Sequence, residues 1–230
     1  MPSTDPEAWP SPFPEGVGFA VLRAEAAASL LPAERALLGP NAAAGRVRDF
    51  ALGRAAAHQA MARQGPTGAR LSGEPVLRAG PRMPRWPAGL VGAITHVEGL
   101  AAAAVAEAAR YHGLGVDLER WREPGEALLR RILRPEERAV LGRAAADWFT
   151  PVFSAKECIY KALFPATGVY LGFQDARIDF PPGADAGAGA GVFDWTLLKE
   201  GSAVFPAGYR GQGRYRRQGD LVLTALWIAR

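Results

Sequence analysis

Phe153-Ser-Ala-Lys-Glu-Cys-Ile-Tyr-Lys161 is the stretch from which the fold can be read. It lies in a run of helix formers from Trp148 to Phe164, with Pro165 expected to end the helix. Glu157 and Lys161 are four residues apart and share a helix face, while Phe153, Tyr160 and Phe164 are spaced to pack beneath. A lone Glu–Lys pair of this kind is an exposed ion pair contributing roughly 0.2–0.5 kcal/mol. The composition argues for more. Of 27 basic residues only Lys156, Lys161 and Lys199 are lysine, and two of them fall in this one segment, interleaved with aromatic residues.

Upstream, Gly113-Leu-Gly-Val-Asp-Leu-Glu-Arg120 contains a strand, Leu114 to Leu118. Alternation along a strand puts Asp117 and Glu119 on one face and sends Val116 and Leu118 the other way, into a core. Two neighbouring carboxylates repel each other. A divalent cation would remove that repulsion, and hard oxygen ligands suit magnesium. The same spacing also fits a solvated strand end with Arg120 as its partner. A third carboxylate, Glu157, would complete a magnesium site shared with phosphate oxygens and water, and Lys161 could neutralise charge developing on those phosphates. Gly92-Ala-Ile-Thr-His-Val97 offers the Thr95 hydroxyl and the His96 imidazole, both able to hydrogen-bond phosphate, although such a pair also occurs as ordinary structure. Arg48 and Arg54 lie on a helix and Arg78 in the loop beyond; arginine binds phosphate bidentately, yet each could equally be a solvated surface residue.

The remaining pattern is mixed. Residues 1–16 read as a loose Pro-rich lead-in, followed by a strand at Val17–Leu22, a short helix opening at Pro32 and a long helix over Arg46–Arg63. Residues 72–90 read as an irregular loop. Val91–Val97 and Ala101–Ala106 read as a hairpin turning at Gly99. Helices are expected at Ala127–Leu133 and Pro135–Ala146, and strands at Ala176–Phe180, Phe193–Leu198 and Leu221–Ala229, with a low-complexity loop over 181–191. Helices followed by short strands in each half hint at duplication.

Composition sets the outer limits. The chain is 49% apolar and 22% charged, ordinary for a soluble globular protein, with net charge +4 and pI about 9.6. A mildly basic surface suits an anionic ligand. The arginines are scattered rather than gathered in a stripe and no nucleic-acid motif is present, which argues against a nucleic-acid-binding protein. Cys158 is the single cysteine, so no internal disulfide forms and a reducing cytoplasm fits. The first residues do not read as a secretory signal, and no apolar run approaches a membrane span.

In this order, VRDFALGRAAAH, WPAGLVGAITHVEGLAAAAVA, GLGVDLER, FSAKECIYKALFP and TGVYLGFQDARIDF resemble the 4′-phosphopantetheinyl transferase superfamily, in particular the class acting on siderophore, polyketide and nonribosomal peptide carrier proteins. The resemblance implies an α+β fold made of a pseudo-twofold pair of similar α/β subdomains, 17–112 and 113–230, with the active site in the cleft between them. It implies transfer of phosphopantetheine from coenzyme A to a serine of an apo carrier protein, with adenosine 3′,5′-bisphosphate released. Asp117, Glu119 and Glu157 then become magnesium ligands, and Lys156 and Lys161 pyrophosphate contacts. Thr95 and His96 become contacts to the nucleotide phosphates, and Arg48, Arg54 and Arg78 surround the 3′-phosphate, with Arg82 and Arg85 near enough to replace Arg78. Either Glu157, which is favoured, or a water positioned by Glu119 serves as general base. Internal duplication would let a monomer form the whole cleft. Val169-Tyr170-Leu171 with Phe173 is either a carrier-docking patch or ordinary core.

Overall fold

The computed structural model describes residues 9–25, 29–80, 83–187 and 189–230. Much of the proposed lead-in, residues 1–8, and Arg82 lie outside that set.

The described chain is a helix–sheet–sheet–helix stack. The first sheet is antiparallel, in the order β1 (Gly18–Arg23), β5 (Leu100–Glu107), β4 (Leu90–Val97). Helix α2 (Ala44–Arg63) packs on one face of it, after the short helix α1 (Pro32–Arg35). The second sheet runs β6 (Tyr111–Arg120), β10 (Leu221–Ala229), β9 (Arg210–Gln218), β8 (Ala190–Leu197), β7 (Ala176–Asp179), also antiparallel. Helix α6 (Phe149–Thr167) covers it, flanked by α4 (Glu126–Ile132) and α5 (Pro135–Leu141).

Strand alternation distributes the core. On β5, Ala102, Ala104 and Ala106 face the second sheet, while Ala101, Ala103 and Val105 face α2. A strand covered on both faces explains the unbroken apolar run Leu100–Ala106. On β6, Leu114, Val116 and Leu118 enter the core between the sheets, as the alternation requires. The opposite face of β6 meets α6 across two glycines. A Cβ on Gly113 would lie 2.1 Å from the Ala162 carbonyl oxygen, and one on Gly115 2.2 Å from that of Cys158. The backbones of β6 and α6 therefore touch directly. Gly18 of β1 stands in the same relation to α2, where a Cβ would lie 1.9 Å from the Ala60 carbonyl oxygen.

Several expectations are corrected. Pro165 does not stop α6, which runs to Thr167. A proline this near the end forfeits a single backbone bond, and Gly168, at φ +67°, ends the helix by donating its N–H to Phe164 O at 2.8 Å. Residues 9–16 are irregular but not loose: Trp9 and Phe13 are buried between the sheets, and Phe13 packs on Phe19 and Trp227. Residues 72–90 contain the small hairpin β2 (Leu77–Gly80) and β3 (Met83–Arg85), after α3 (Pro66–Leu71). The strand β9 was not expected. The deep face of α6 is Phe149, Val152, Ala155, Cys158 and Ile159, with Phe153, Tyr160 and Phe164 on its flank. Of the proposed docking patch, Leu171 is buried and Tyr170 is 69% exposed. Among the described residues no helix is long and apolar enough to cross a membrane.

Candidate active site

The two sheets meet at the edge strands β4 and β6, and Asp117 lies at that seam, 2% exposed. Three elements converge on it, β10 through Ser154. From α6, Lys161 Nζ donates to Asp117 Oδ1 at 2.5 Å and Ser154 Oγ donates to Oδ2 at 2.8 Å. From β4, Thr95 Oγ1 donates to Oδ1 at 3.1 Å and accepts the Leu118 N–H at 3.3 Å. From β10, Thr224 Oγ1 bonds Ser154 Oγ at 2.8 Å. Lys161, Ser154 and Glu157 can all approach the same strand because 154, 157 and 161 fall on one face of a helix.

The electrostatics follow. Burial opposes the charge on Lys161, but Asp117 outweighs it and holds the ammonium above its ordinary range. Glu119 is pushed up to about 7, first by burial and then by the charge of Asp117, with Glu157 adding to the rise and Arg122 and Lys161 opposing it. Arg122 reaches Glu119 Oε2 at 3.4 Å. Three carboxylates thus act on one another across β6 and α6. By donor chemistry they fit a hard divalent cation. As the side chains stand, no three His, Cys, Asp or Glu among the described residues converge closely enough to hold a metal, and the cation on Asp117 is the Lys161 ammonium.

The other expected residues divide. Thr95 is buried with its hydroxyl committed to Asp117 and Leu118, whereas His96 on the opposite face of β4 is exposed. Arg48 lines a cavity of about 590 Å³ with Arg35, Asp49, Leu52 and the Glu98–Gly99 turn that follows His96. Glu98 also accepts from Arg120 of β6 at 3.1 Å, so this cavity reaches the end of the strand that carries Asp117. Arg54 and Arg78 come together over the Phe50 ring, at 4.4 and 5.2 Å from its centroid. Arg54 is buried, and its pKa falls to about 10, chiefly through desolvation with a contribution from Arg78.

Lys156 is not brought to this cluster. Its ammonium is buried and donates to Glu137 Oε2 and to the Ile132 carbonyl, both at 2.8 Å. Successive residues on a helix point about 100° apart, so Lys156 faces α5 when Glu157 faces β6. In this structure Lys156, expected as a pyrophosphate contact, links α6 to Glu137 of α5 and to the end of α4.

Sequence comparison finds matches over both halves of the chain. Residues 33–106 match the model of the 4′-phosphopantetheinyl transferase N-terminal domain, and residues 113–201 that of the 4′-phosphopantetheinyl transferase superfamily. The chain is 36% identical to the 4′-phosphopantetheinyl transferase Svp of Streptomyces mobaraensis over 208 residues, 87% of this chain and 80% of Svp. The chain belongs to the 4′-phosphopantetheinyl transferase superfamily. Two further phosphopantetheinyl transferases are similar to it. PptT of Mycobacterium tuberculosis is 36% identical over 156 residues, 66% of this chain and 68% of PptT. Npt of Nocardia iowensis is 36% identical over 176 residues, 74% of this chain and 75% of Npt. The boundary between the two matched regions falls between β5 and β6, so the superfamily's second region contains Asp117, Glu119 and all of α6.

Sequence reasoning missed Ser154 and Thr224, which hold Asp117 from behind. It also missed Glu34 and His58, a buried pair beside Arg54. Ser154 was in view inside the helix segment, but nothing in the sequence pairs it with Thr224, 70 residues away.

Proposed function

We propose that this member of the superfamily transfers the 4′-phosphopantetheine group of coenzyme A to a serine of an apo acyl or peptidyl carrier protein. The reaction is magnesium-dependent and releases adenosine 3′,5′-bisphosphate. The observation that carries the reading is the convergence of Lys161, Ser154 and Thr95 on the buried Asp117, with Glu119 and Glu157 electrostatically coupled to it.

In this reading Asp117, Glu119 and Glu157 would hold the magnesium ion. When bound, the ion supplies positive charge to the pyrophosphate oxygens. The Lys161 ammonium, already held charged beside Asp117, turns to the phosphate oxygens as negative charge builds there. Glu157 accepts the proton of the carrier serine as its hydroxyl oxygen bonds to the β-phosphorus. The bond from that phosphorus to the bridging oxygen breaks, and adenosine 3′,5′-bisphosphate departs. His96 contacts a nucleotide phosphate. Arg48 at the cavity beside α2, together with Arg54 and Arg78 over Phe50, receives the 3′-phosphate. Thr95 orients Asp117. The pseudo-twofold relation between the halves is part of this reading. It is supported by a long helix lying on an antiparallel sheet across glycine in each. Action as a cytoplasmic monomer without nucleic acid or membrane also belongs to the proposal.

The test is a mass measurement. The protein is incubated with coenzyme A, magnesium and an apo carrier, and the carrier gains one phosphopantetheine. Asp117→Ala abolishes the gain, as does chelation. No gain across several carriers, or turnover surviving both Asp117→Ala and chelation, overturns the reading.

A further inference from the structure

Glu34 is a carboxylate with no exposed surface. Its Oε1 accepts from His58 Nε2 and from the Val76 N–H, both at 2.9 Å, and its Oε2 accepts the Leu31 N–H at 3.2 Å. One side chain thereby joins α1, α2 and the segment entering β2. Arg54 stands at the edge of this knot. Its Nε lies 4.0 Å from Glu34 Oε1, an ion-pair distance but not a hydrogen bond, and that Nε is buried without a hydrogen-bond partner. Another nitrogen of the same guanidinium donates to the Leu77 carbonyl at 3.2 Å.

The protonation of His58 decides how the charges divide. Its Nδ1 lies 2.7 Å from the Ser72 carbonyl oxygen, which can only accept, so Nδ1 carries a hydrogen. Its Nε2 faces the Glu34 carboxylate, so Nε2 carries one as well. An imidazole donating from both nitrogens is a cation. The groups around it are then three cations, His58, Arg54 and Arg78, against one carboxylate. His58 takes up the charge of Glu34 at hydrogen-bond distance, while Arg54 keeps only the longer 4.0 Å approach to Glu34 and lies with Arg78 over Phe50.

We infer that Glu34 and His58 are positioning residues for the coenzyme A nucleotide: Glu34 fixes Arg54 in place, and His58 keeps Glu34 from capturing it, so that the arginine's charge is directed at the 3′-phosphate. This rests on the proposed assignment of Arg54 and Arg78 to that phosphate. The geometry holds the arginine 4.0 Å from the carboxylate while the hydrogen bonds of Glu34 go to His58, Val76 and Leu31.

The experiment compares coenzyme A with 3′-dephospho-coenzyme A as donor, measuring kcat and KM for each. The unmodified protein is expected to prefer coenzyme A. His58→Gln removes the competing cation, and Glu34 closes on Arg54. KM for coenzyme A then rises about tenfold, the effect of losing one charge-assisted contact, with kcat and the dephospho donor changed less than twofold. Glu34→Gln combined with His58→Gln removes the capturing charge and recovers part of the loss. Nitrogen chemical shifts of His58 in the unmodified protein report both ring nitrogens protonated at neutral pH, a readout that needs no variant to fold. A neutral imidazole overturns the inference. So does a His58→Gln protein that weakens both donors equally or neither, and so does a double variant worse than the single. If the unmodified protein does not distinguish the donors, the assignment of the arginines to the 3′-phosphate falls, and the inference with it. If it does distinguish them and His58→Gln keeps the full ratio, the inference alone falls.

Discussion

Replacing Lys156 separates an anchoring role from a phosphate-binding one. The ammonium and the Glu137 carboxylate are 2% and 1% exposed, with Nζ and Oε2 2.8 Å apart. Glu137 is also bonded by the N–H groups of Arg134 and Ile178, each at 2.7 Å, so it cannot turn to solvent when its partner is lost. Lys156→Met keeps the length of the side chain but leaves a buried carboxylate and the Ile132 carbonyl without their donor. Breaking a buried ion pair from one side costs about 3–5 kcal/mol. For a chain of this size each kcal/mol corresponds to roughly 2–4 °C, so the melting temperature should fall by about 6–20 °C. Burial holds the Lys156 pKa below its ordinary value even beside Glu137, so the ammonium gains little over an apolar side chain. Lys156→Met combined with Glu137→Gln should therefore recover a substantial part of the loss. The assay is thermal unfolding alongside kcat and KM for coenzyme A, measured well below the transition. Unchanged KM with a large loss of stability fits the anchor. Unchanged stability with a raised KM would refute it and return Lys156 to the pyrophosphate.

Two other outcomes are expected. Gly115→Ala drives a methyl group into the Cys158 carbonyl and must lift α6 from β6; a loss of about 3 kcal/mol in urea unfolding is expected, while Gly73→Ala, with nothing within 4 Å, stays within about 0.5 kcal/mol, and equal midpoints for the two would contradict the backbone contact. The Glu34–His58 pair predicts a pH window. Burial opposes the charge of Glu34, but the bonds from His58 and Val76 lower its pKa, so its contribution is present above the ordinary 4.5 and lost as pH falls through the lower folded value. The bond to Glu34 raises His58, so its contribution is present below the ordinary 6.5 and lost as pH rises through the raised folded value. The stability difference between the unmodified protein and His58→Gln should peak between about 4.5 and 6.5, and a difference flat with pH would count against the ion pair.

What was legible in the sequence was what depends on local period. The two faces of β6, the hairpin turning at Gly99 and the shared face of Glu157 and Lys161 all follow from alternation or helical spacing. The strand β9 was hidden because its sequence, Arg-Gly-Gln-Gly-Arg-Tyr-Arg-Arg-Gln, has few side chains to bury. Its inward glycines instead lie against Trp195 and Phe193 of the next strand. Hydroxyl support for Asp117 and the partnership of Glu34 with His58 join residues from separate elements, which no local pattern encodes. The direction of Lys156 was available in principle. Five residues from Lys161 on a helix is not one face, and spacing would have separated the two lysines where family likeness joined them.

The place of β10 has a consequence for biosynthesis. The strand carrying Asp117 is hydrogen-bonded to the last strand of the chain, with Asp117 opposite Thr224. A ribosome must therefore add about a hundred residues after β6 before that strand's neighbour exists, and such distant pairings form slowly. The N-terminal sheet and α2 can assemble while the rest is still being made. The surroundings of Asp117 have to wait for residues 221–229, so an unfinished chain carries Arg48, Arg54 and Arg78 but not the strand that completes the support of Asp117.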